Sequence, residues 1–277
     1  MRTKAIALWG ALWLCAVCTA GCGAAGDAAP ADGSSPPQAV QTEQAAPADS
    51  VTGCLVDGAG GGELLLAEQD GSRVCRFDAG TAAVSVDGAA ASAGDLTDGM
   101  TLTVSFGAAE ETWPLRLTGV TAVAAKTPAG GGYTDLCGLY LQVLEDLWDT
   151  DPALSDGLRI VGVDLSGEPG GLTESEKAAV AWRFGEKHGL PAVCGTFGEL
   201  AARGCIDRAN LQWTDGCLFS ITADRGRGAE CCSLPVLTFD AEKWRSGTGA
   251  YFFSGCTCVW PEMGSWSGYQ VGSQAIS

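Results

Sequence analysis

The chain has 277 residues, 46% of them hydrophobic, enough to build one large core or two small ones. It carries 33 acidic against 16 basic residues; the formal charge of −17 repels phosphate backbones and anionic headgroups, which excludes nucleic acid as a partner. With a single histidine, a Ser–His or Cys–His pair has almost no base to draw on.

Met1-Arg-Thr-Lys4 is a short basic start, and Ala5 to Val17 is an apolar stretch broken only by Gly10. A membrane-spanning helix needs about 20 apolar residues, so this stretch is too short to span. Residues 1–21 have the layout of a secretory signal peptide. The small residues Thr19-Ala20-Gly21 then precede Cys22. This resembles the lipobox of bacterial lipoproteins, departing from it at Thr19, where Leu is usual. The resemblance implies cleavage before Cys22 and lipidation of that cysteine. The membrane is then a partner through the lipid anchor, on the extracytoplasmic face. Cys18 is a poorer acceptor, and ordinary cleavage near Cys18-Thr19-Ala20 would instead give a soluble secreted product.

Residues 22–50 follow as the lipidated cysteine and a disordered tether. Gly23 to Ser50 contains Val40 as its only branched aliphatic residue. Such a segment buries too little apolar surface to offset the cost of ordering it. A flexible chain of this length spans roughly 30 Å end to end.

Residues 51–125 read as short strands and turns. Apolar runs at Val51–Val56, Glu63–Ala67, Val74–Phe77, Ala83–Val86, Met100–Phe106 and Leu115–Val123 are separated by glycine-rich breaks, and Asp87-Gly88 is a tight-turn signal. The segment is expected to form a small, closed or half-closed β-barrel of OB type. Asp95-Leu96-Thr97-Asp98-Gly99-Met100 looks like a turn-into-strand that recurs in such modules. Oligonucleotide binding is rejected, because Arg73, Arg76 and Arg116 are the only bases there.

Residues 126–132 form a Pro/Gly linker, after which the period turns helical. Leu136, Leu139, Tyr140, Val143, Leu144 and Leu147 define an amphipathic helix. Leu158–Leu165 is a strand buried on both faces. Thr173-Glu-Ser-Glu176 is a capping box that opens a second helix, and Thr196-Phe-Gly-Glu199 opens a shorter one. Leu211–Trp213 and Cys217–Thr222 read as a hairpin, with strands at Pro235–Phe239, Gly249–Trp260 and Trp266–Val271 after it. The fold class is therefore α+β: an OB-like barrel, then a domain over 133–277 with helices packed on one face of an antiparallel sheet. That domain resembles a C-terminal domain of Firmicutes lipoproteins through Phe239-Asp240, Lys243-Trp244-Arg245-Ser246-Gly247, Gly249-Ala250 and Ala275-Ile276-Ser277. No activity is established for the family, so the resemblance transfers no functional residue.

Chemical motifs are sparse. His188, beside Gly189 at a helix C-terminus, reads as a cap rather than a catalyst. Gly264-Ser-Trp-Ser-Gly268 has Trp266 where a nucleophile elbow needs Ser. Gly167-Glu-Pro-Gly-Gly171 lacks the lysine of a phosphate loop and reads as a plain turn. Asp149, Asp151 and Asp156 begin like a calcium loop that Ala153, Leu154 and Ile160 interrupt. Ten cysteines lie beyond Cys22. Cys231, Cys232, Cys256 and Cys258 are spaced unlike a zinc knuckle, so they are expected to be core thiols or disulfides without metal. Trp244, Tyr251, Phe252, Phe253, Trp260, Trp266 and Tyr269 are dense enough to serve the core or to line a face for a protein, peptide or glycan. No catalytic residue, cofactor or metal ligand is assigned. The expected function is a non-enzymatic binding or assembly module of the cell envelope. The alternative is a carboxylate-dependent hydrolase of cell-wall or secreted substrates, which a cleft with paired acids would favour.

Overall fold

The structure, a computed structural model, describes residues 49–58, 62–128, 135–224, 236–259 and 268–277. The expected leader, Cys22 and the expected tether as far as residue 48 lie outside the described residues, as do Gly132, Cys231, Cys232, Trp260 and Trp266. The fold is α+β, with two sheets and three α-helices among the described residues.

The first sheet takes its strands from β1 (Asp49–Asp57), β2 (Leu64–Glu68), β3 (Val74–Phe77), β4 (Ala83–Val86), β5 (Ala89–Ala91), β6 (Thr101–Phe106), β7 (Ala108–Glu110), β8 (Leu115–Thr118) and β9 (Ala122–Lys126). Their hydrogen-bonded order is β5-β4-β9-β6-β1-β2-β3-β8-β7. Period-two alternation drives these strands: in β6, Leu102, Val104 and Phe106 are buried while Thr103 between them is exposed. Asp87 and Gly88 adopt φ of 51° and 83°, the left-handed pair that a two-residue hairpin between β4 and β5 requires. The run expected over Leu115–Val123 is two strands, parted at Gly119 with φ of 63°. The three-residue strands β5 and β7 are too short to show a period and were not expected.

The second half contains α1 (Leu136–Asp149), β10 (Ile160–Gly167), α2 (Glu174–Lys187), β11 (Ala192–Cys194), α3 (Phe197–Ala202), β12 (Gly216–Ala223), β13 (Val236–Ser246), β14 (Gly249–Val259) and β15 (Ser273–Ile276). Both expected capping boxes are formed, at Thr173/Glu176 and Thr196/Glu199. The sheet order is β11-β10-β12-β13-β14-β15. The antiparallel expectation is corrected here, because β10 pairs in parallel with both β11 and β12. The physical reason lies in the connections: α2 and α3 are crossovers, and a helical crossover returns the chain in the same direction.

The expectation of helices on one face is corrected as well. Val161, Val163 and Leu165 of β10 join the cluster of α1 and α2. Leu200 of α3 packs with Ile206, Trp213 and Leu218 in a separate cluster. Alternation along β12 sends Cys217 and Phe219 to the first cluster and Leu218 to the second, so the two lie on opposite faces. Gly162 permits this: a Cβ there would stand 2.8 Å from Trp213 Cζ3 and 3.0 Å from Leu200 Cδ1. Leu211–Trp213 is not a hairpin partner of β12. Gln212 bridges to Asp207 and Ser246 instead, while β12 lies between β10 and β13. The last strand is β15, and of the Trp266–Val271 segment the described part shows one bridge, Gln270 to Thr257.

The halves meet along a seam. Val56, Leu65, Ala67 and Val74 of the first sheet belong to the same apolar cluster as Leu139, Tyr140, Val180 and Phe184 of the helices. Ser175 of α2, fully buried, donates to the Glu68 carbonyl of β2 at 2.6 Å. The described residues from Asp49 onward accordingly form one compact unit. Among the described residues no helix is long and apolar enough to cross a membrane.

Candidate functional site

A cleft of about 650 Å³ opens on this seam, lined by Val56, Asp57 and Asp98 on one wall and by residues of α1 and α2 on the other. Asp57 ends β1 where the register with β2 shifts, a bulge of the kind that re-aims a side chain. Its carboxylate is bonded by the Arg183 guanidinium of α2, which also reaches Glu186. Asp98 stands in the turn before β6, and its Oδ1 accepts the Gly58 N–H at 2.8 Å. Burial pushes the Asp98 carboxyl up to about 6; the Gly58 hydrogen bond opposes this, and the nearby Asp135 and Asp57 charges reinforce it. Asp135 caps α1 by accepting the Gly138 N–H at 2.9 Å, and burial raises its pKa too.

On the helical wall, Glu145 of α1 faces α2. Its Oε2 lies 3.2 Å from Lys187 Nζ and 3.3 Å from His188 Nε2. The His188 ring stacks on Trp148, with centroids 3.8 Å apart and planes 20° apart, and meets Phe184 edge-on at 5.1 Å. His188 does occupy the C-cap of α2, yet its imidazole is packed between helices rather than spread on the surface. The cleft thus combines an apolar strip from Val56 and Leu141, one guanidinium, one ammonium and a carboxyl poised to exchange a proton near neutrality. Such a surface suits a small polar ligand bearing charge. Among the described residues no group of three or more His, Cys, Asp or Glu is arranged to hold a metal ion.

The other sequence candidates are spread through the fold. The Gly167–Gly171 turn is a nest already filled by its own Glu168, which accepts N–H groups of Gly170 (2.6 Å), Gly171 (2.9 Å) and Leu172 (2.6 Å) and the Tyr140 hydroxyl (2.8 Å). A phosphate would find those donors taken. The acidic segment after α1 serves as a backbone acceptor. Fully buried Lys243 donates to the carbonyls of Trp148 (3.0 Å), Thr150 (2.9 Å) and Asp151 (3.2 Å). Arg245 donates to Asp156 O at 2.7 Å and Thr214 O at 3.2 Å. The Lys243-Trp-Arg245 motif therefore pins loops, while Trp244 packs edge-on against Phe197 of α3 at 5.0 Å.

Cys256 and Cys258 are both buried in the main core, and their thiols are raised by burial to about 12. The aromatic tail is divided. Phe253 enters the core, and Tyr251 and Tyr269 bond Gln274 and Asp146 at 2.8 Å each. Phe252 lines a groove of about 150 Å³ with Ser220, Thr222, Asp240 and Glu242. Comparison of the chain with protein-family models, with curated proteins and with solved structures gives no match in any of the three.

Sequence reasoning did not find the cleft. Asp57 before the glycine run and Asp98 before Gly99 each carry an ordinary turn signal. Nothing in linear spacing joins either to Arg183, and Asp57 and Arg183 stand 126 positions apart.

Proposed function

We propose that the chain is a lipid-tethered module on the extracytoplasmic face of a cell membrane, binding a small charged ligand in the seam cleft. One observation carries the binding part: a cleft of about 650 Å³, a volume typical of small-molecule sites, in which distant segments converge Asp57, Asp98, Arg183 and Lys187. The address is supported by the basic start, the short apolar core, Thr19-Ala20-Gly21 before Cys22 and the tether composition. The first sheet is read as a half-closed, OB-like barrel. In support, Val84 of β4 and Leu117 of β8, remote in strand order, share one apolar cluster. Among the described residues of the aromatic tail, Phe252 and its groove are proposed to meet a protein, peptide or glycan.

Growth with a tagged fatty acid tests the address. Label should enter the wild type and be lost in Cys22→Ser; an intact mass showing an unmodified mature N-terminus elsewhere overturns it. A thermal-shift screen of amino sugars, short peptides and dicarboxylates tests the cleft. At least one compound should stabilise the wild type and not Gln142→Trp, whose exposed side chain borders the cleft. No stabilisation, or equal stabilisation of both, overturns the cleft as a binding site.

A second reading, a carboxylate-dependent hydrolase, is favoured by a single feature. Asp98 carries a raised pKa beside the ion-paired Asp57, a division of roles used in acid–base hydrolysis. Turnover of a glycoside or peptide that Asp98→Asn abolishes would establish it.

A further inference from the structure

Glu145 is shared between the Lys187 ammonium and the His188 imidazole, which becomes a cation only on protonation. Its Oε2 is within 3.2 Å of Lys187 Nζ and 3.3 Å of His188 Nε2. Its Oε1 is buried without a hydrogen-bond partner, and so is His188 Nε2, whose approach to the carboxylate is off the hydrogen-bond line. The imidazole side chain is only 14% exposed, flat against Trp148. The charged groups acting on it are Glu145 and Asp149 of α1 and Lys187 of α2. Lys243 of β13 adds an ammonium held at the Trp148 carbonyl.

The geometry points to a proton-operated latch: a proton taken up at His188 Nε2 draws Glu145 from Lys187 to the imidazolium and leaves the Lys187 ammonium to the cleft. This rests on the reading of the cleft as a binding site. The proton comes from solvent hydronium, whose O–H bond breaks as the imidazole N–H bond forms, and no other covalent bond changes. Two orphaned buried atoms become partners in a charge-assisted hydrogen bond, and the imidazolium gains the indole face beneath it. Before protonation Lys187 and Glu145 balance each other on the cleft wall. Afterwards His188 balances Glu145, and the wall carries one more positive charge.

Burial holds the His188 pKa below its ordinary value against the pull of Glu145, so the latch operates on mild acidification. Asp98 on the facing wall gives up its negative charge near pH 6, which moves the cleft in the same direction. The cleft therefore favours a cationic occupant at neutral pH and an anionic one in acid.

The single histidine makes the test direct. Full-length protein in detergent, labelled at histidine ¹³Cε1, gives one imidazole resonance to titrate. The wild-type midpoint should fall below about 6.5, the ordinary histidine value. Lys187→Gln should raise it by about half a unit or more, and Glu145→Gln should lower it. Lys187 is 61% exposed, so its replacement leaves folding intact. A wild-type midpoint at or above the ordinary value overturns the latch, as does a midpoint that Lys187→Gln leaves unmoved. If these shifts appear while the thermal screen finds no ligand, the proton exchange at His188 stands but its effect on an occupant falls with the binding reading; the reverse result removes the latch alone.

Discussion

In the β-rich half, residues 49–126, the interior is built from alternating apolar side chains. Side-chain hydrogen bonds run between strands and turns, as from Arg116 to Glu63 and from the Gly58 N–H to Asp98, with the buried Arg76 Nε left without a partner. In the α/β half, residues 135–277, charged side chains reach far along the chain to hold loops. The three buried polar or charged residues among those described, Ser175, Thr238 and Lys243, all lie there. Lys243 closes the C-terminus of α1 from 93 residues away at Thr150, and Glu168 fills the turn that leads to α2. The difference teaches that connection length sets the need for pins. A tight hairpin completes its own hydrogen bonds, whereas a helix ends in carbonyls and N–H groups that need a partner from elsewhere.

The largest expected effect sharpens that contrast. Lys243→Met keeps the stem but leaves three carbonyls at the end of α1 without their donor, and should cost about 3 kcal/mol. Urea unfolding measures it, and a loss no larger than that of an exposed substitution would dissolve the distinction between pinned and self-sufficient halves. Next is Leu65→Ala, which removes apolar contact that a β2 residue makes with the helical cluster and should cost about 2–3 kcal/mol. Because the seam is shared, calorimetry should still show one transition at lower temperature. Two separated transitions would mean that the halves are energetically independent.

The smallest effect concerns Asp98, whose pKa is higher folded than unfolded. Its contribution to stability is fully present in acid and is lost as pH rises through about 6. Asp98→Asn keeps the Gly58 acceptor and should stabilise the protein at neutral pH by on the order of 1 kcal/mol, discounted for its partial exposure. The gain should vanish below about pH 4. His188 has the opposite sign: its pKa is lower folded than unfolded, so its contribution is lost as pH falls below the ordinary histidine value. His188→Gln should flatten that acid limb.

Much of this architecture can be read locally. Asp87-Gly88 specifies its hairpin because few residue pairs tolerate two left-handed conformations. Thr173/Glu176 and Thr196/Glu199 specify where α2 and α3 begin, since each box satisfies orphan N–H groups within four residues. Leu136 to Leu147 specifies α1 through its period.

Strand direction was not legible in this way. An apolar run such as Ile160–Leu165 looks alike in parallel and antiparallel surroundings, and only the crossovers of α2 and α3 decide its neighbours. The same holds for Lys243, whose role in holding the end of α1 has no signal in its own stretch of chain. The cleft is the extreme case. Asp57, Asp98, Glu145 and Arg183 are each unremarkable in their own stretch of chain. Their shared field exists only once β1, the turn before β6 and two helices are packed together, because Coulombic and desolvation effects depend on separation in space and not along the sequence.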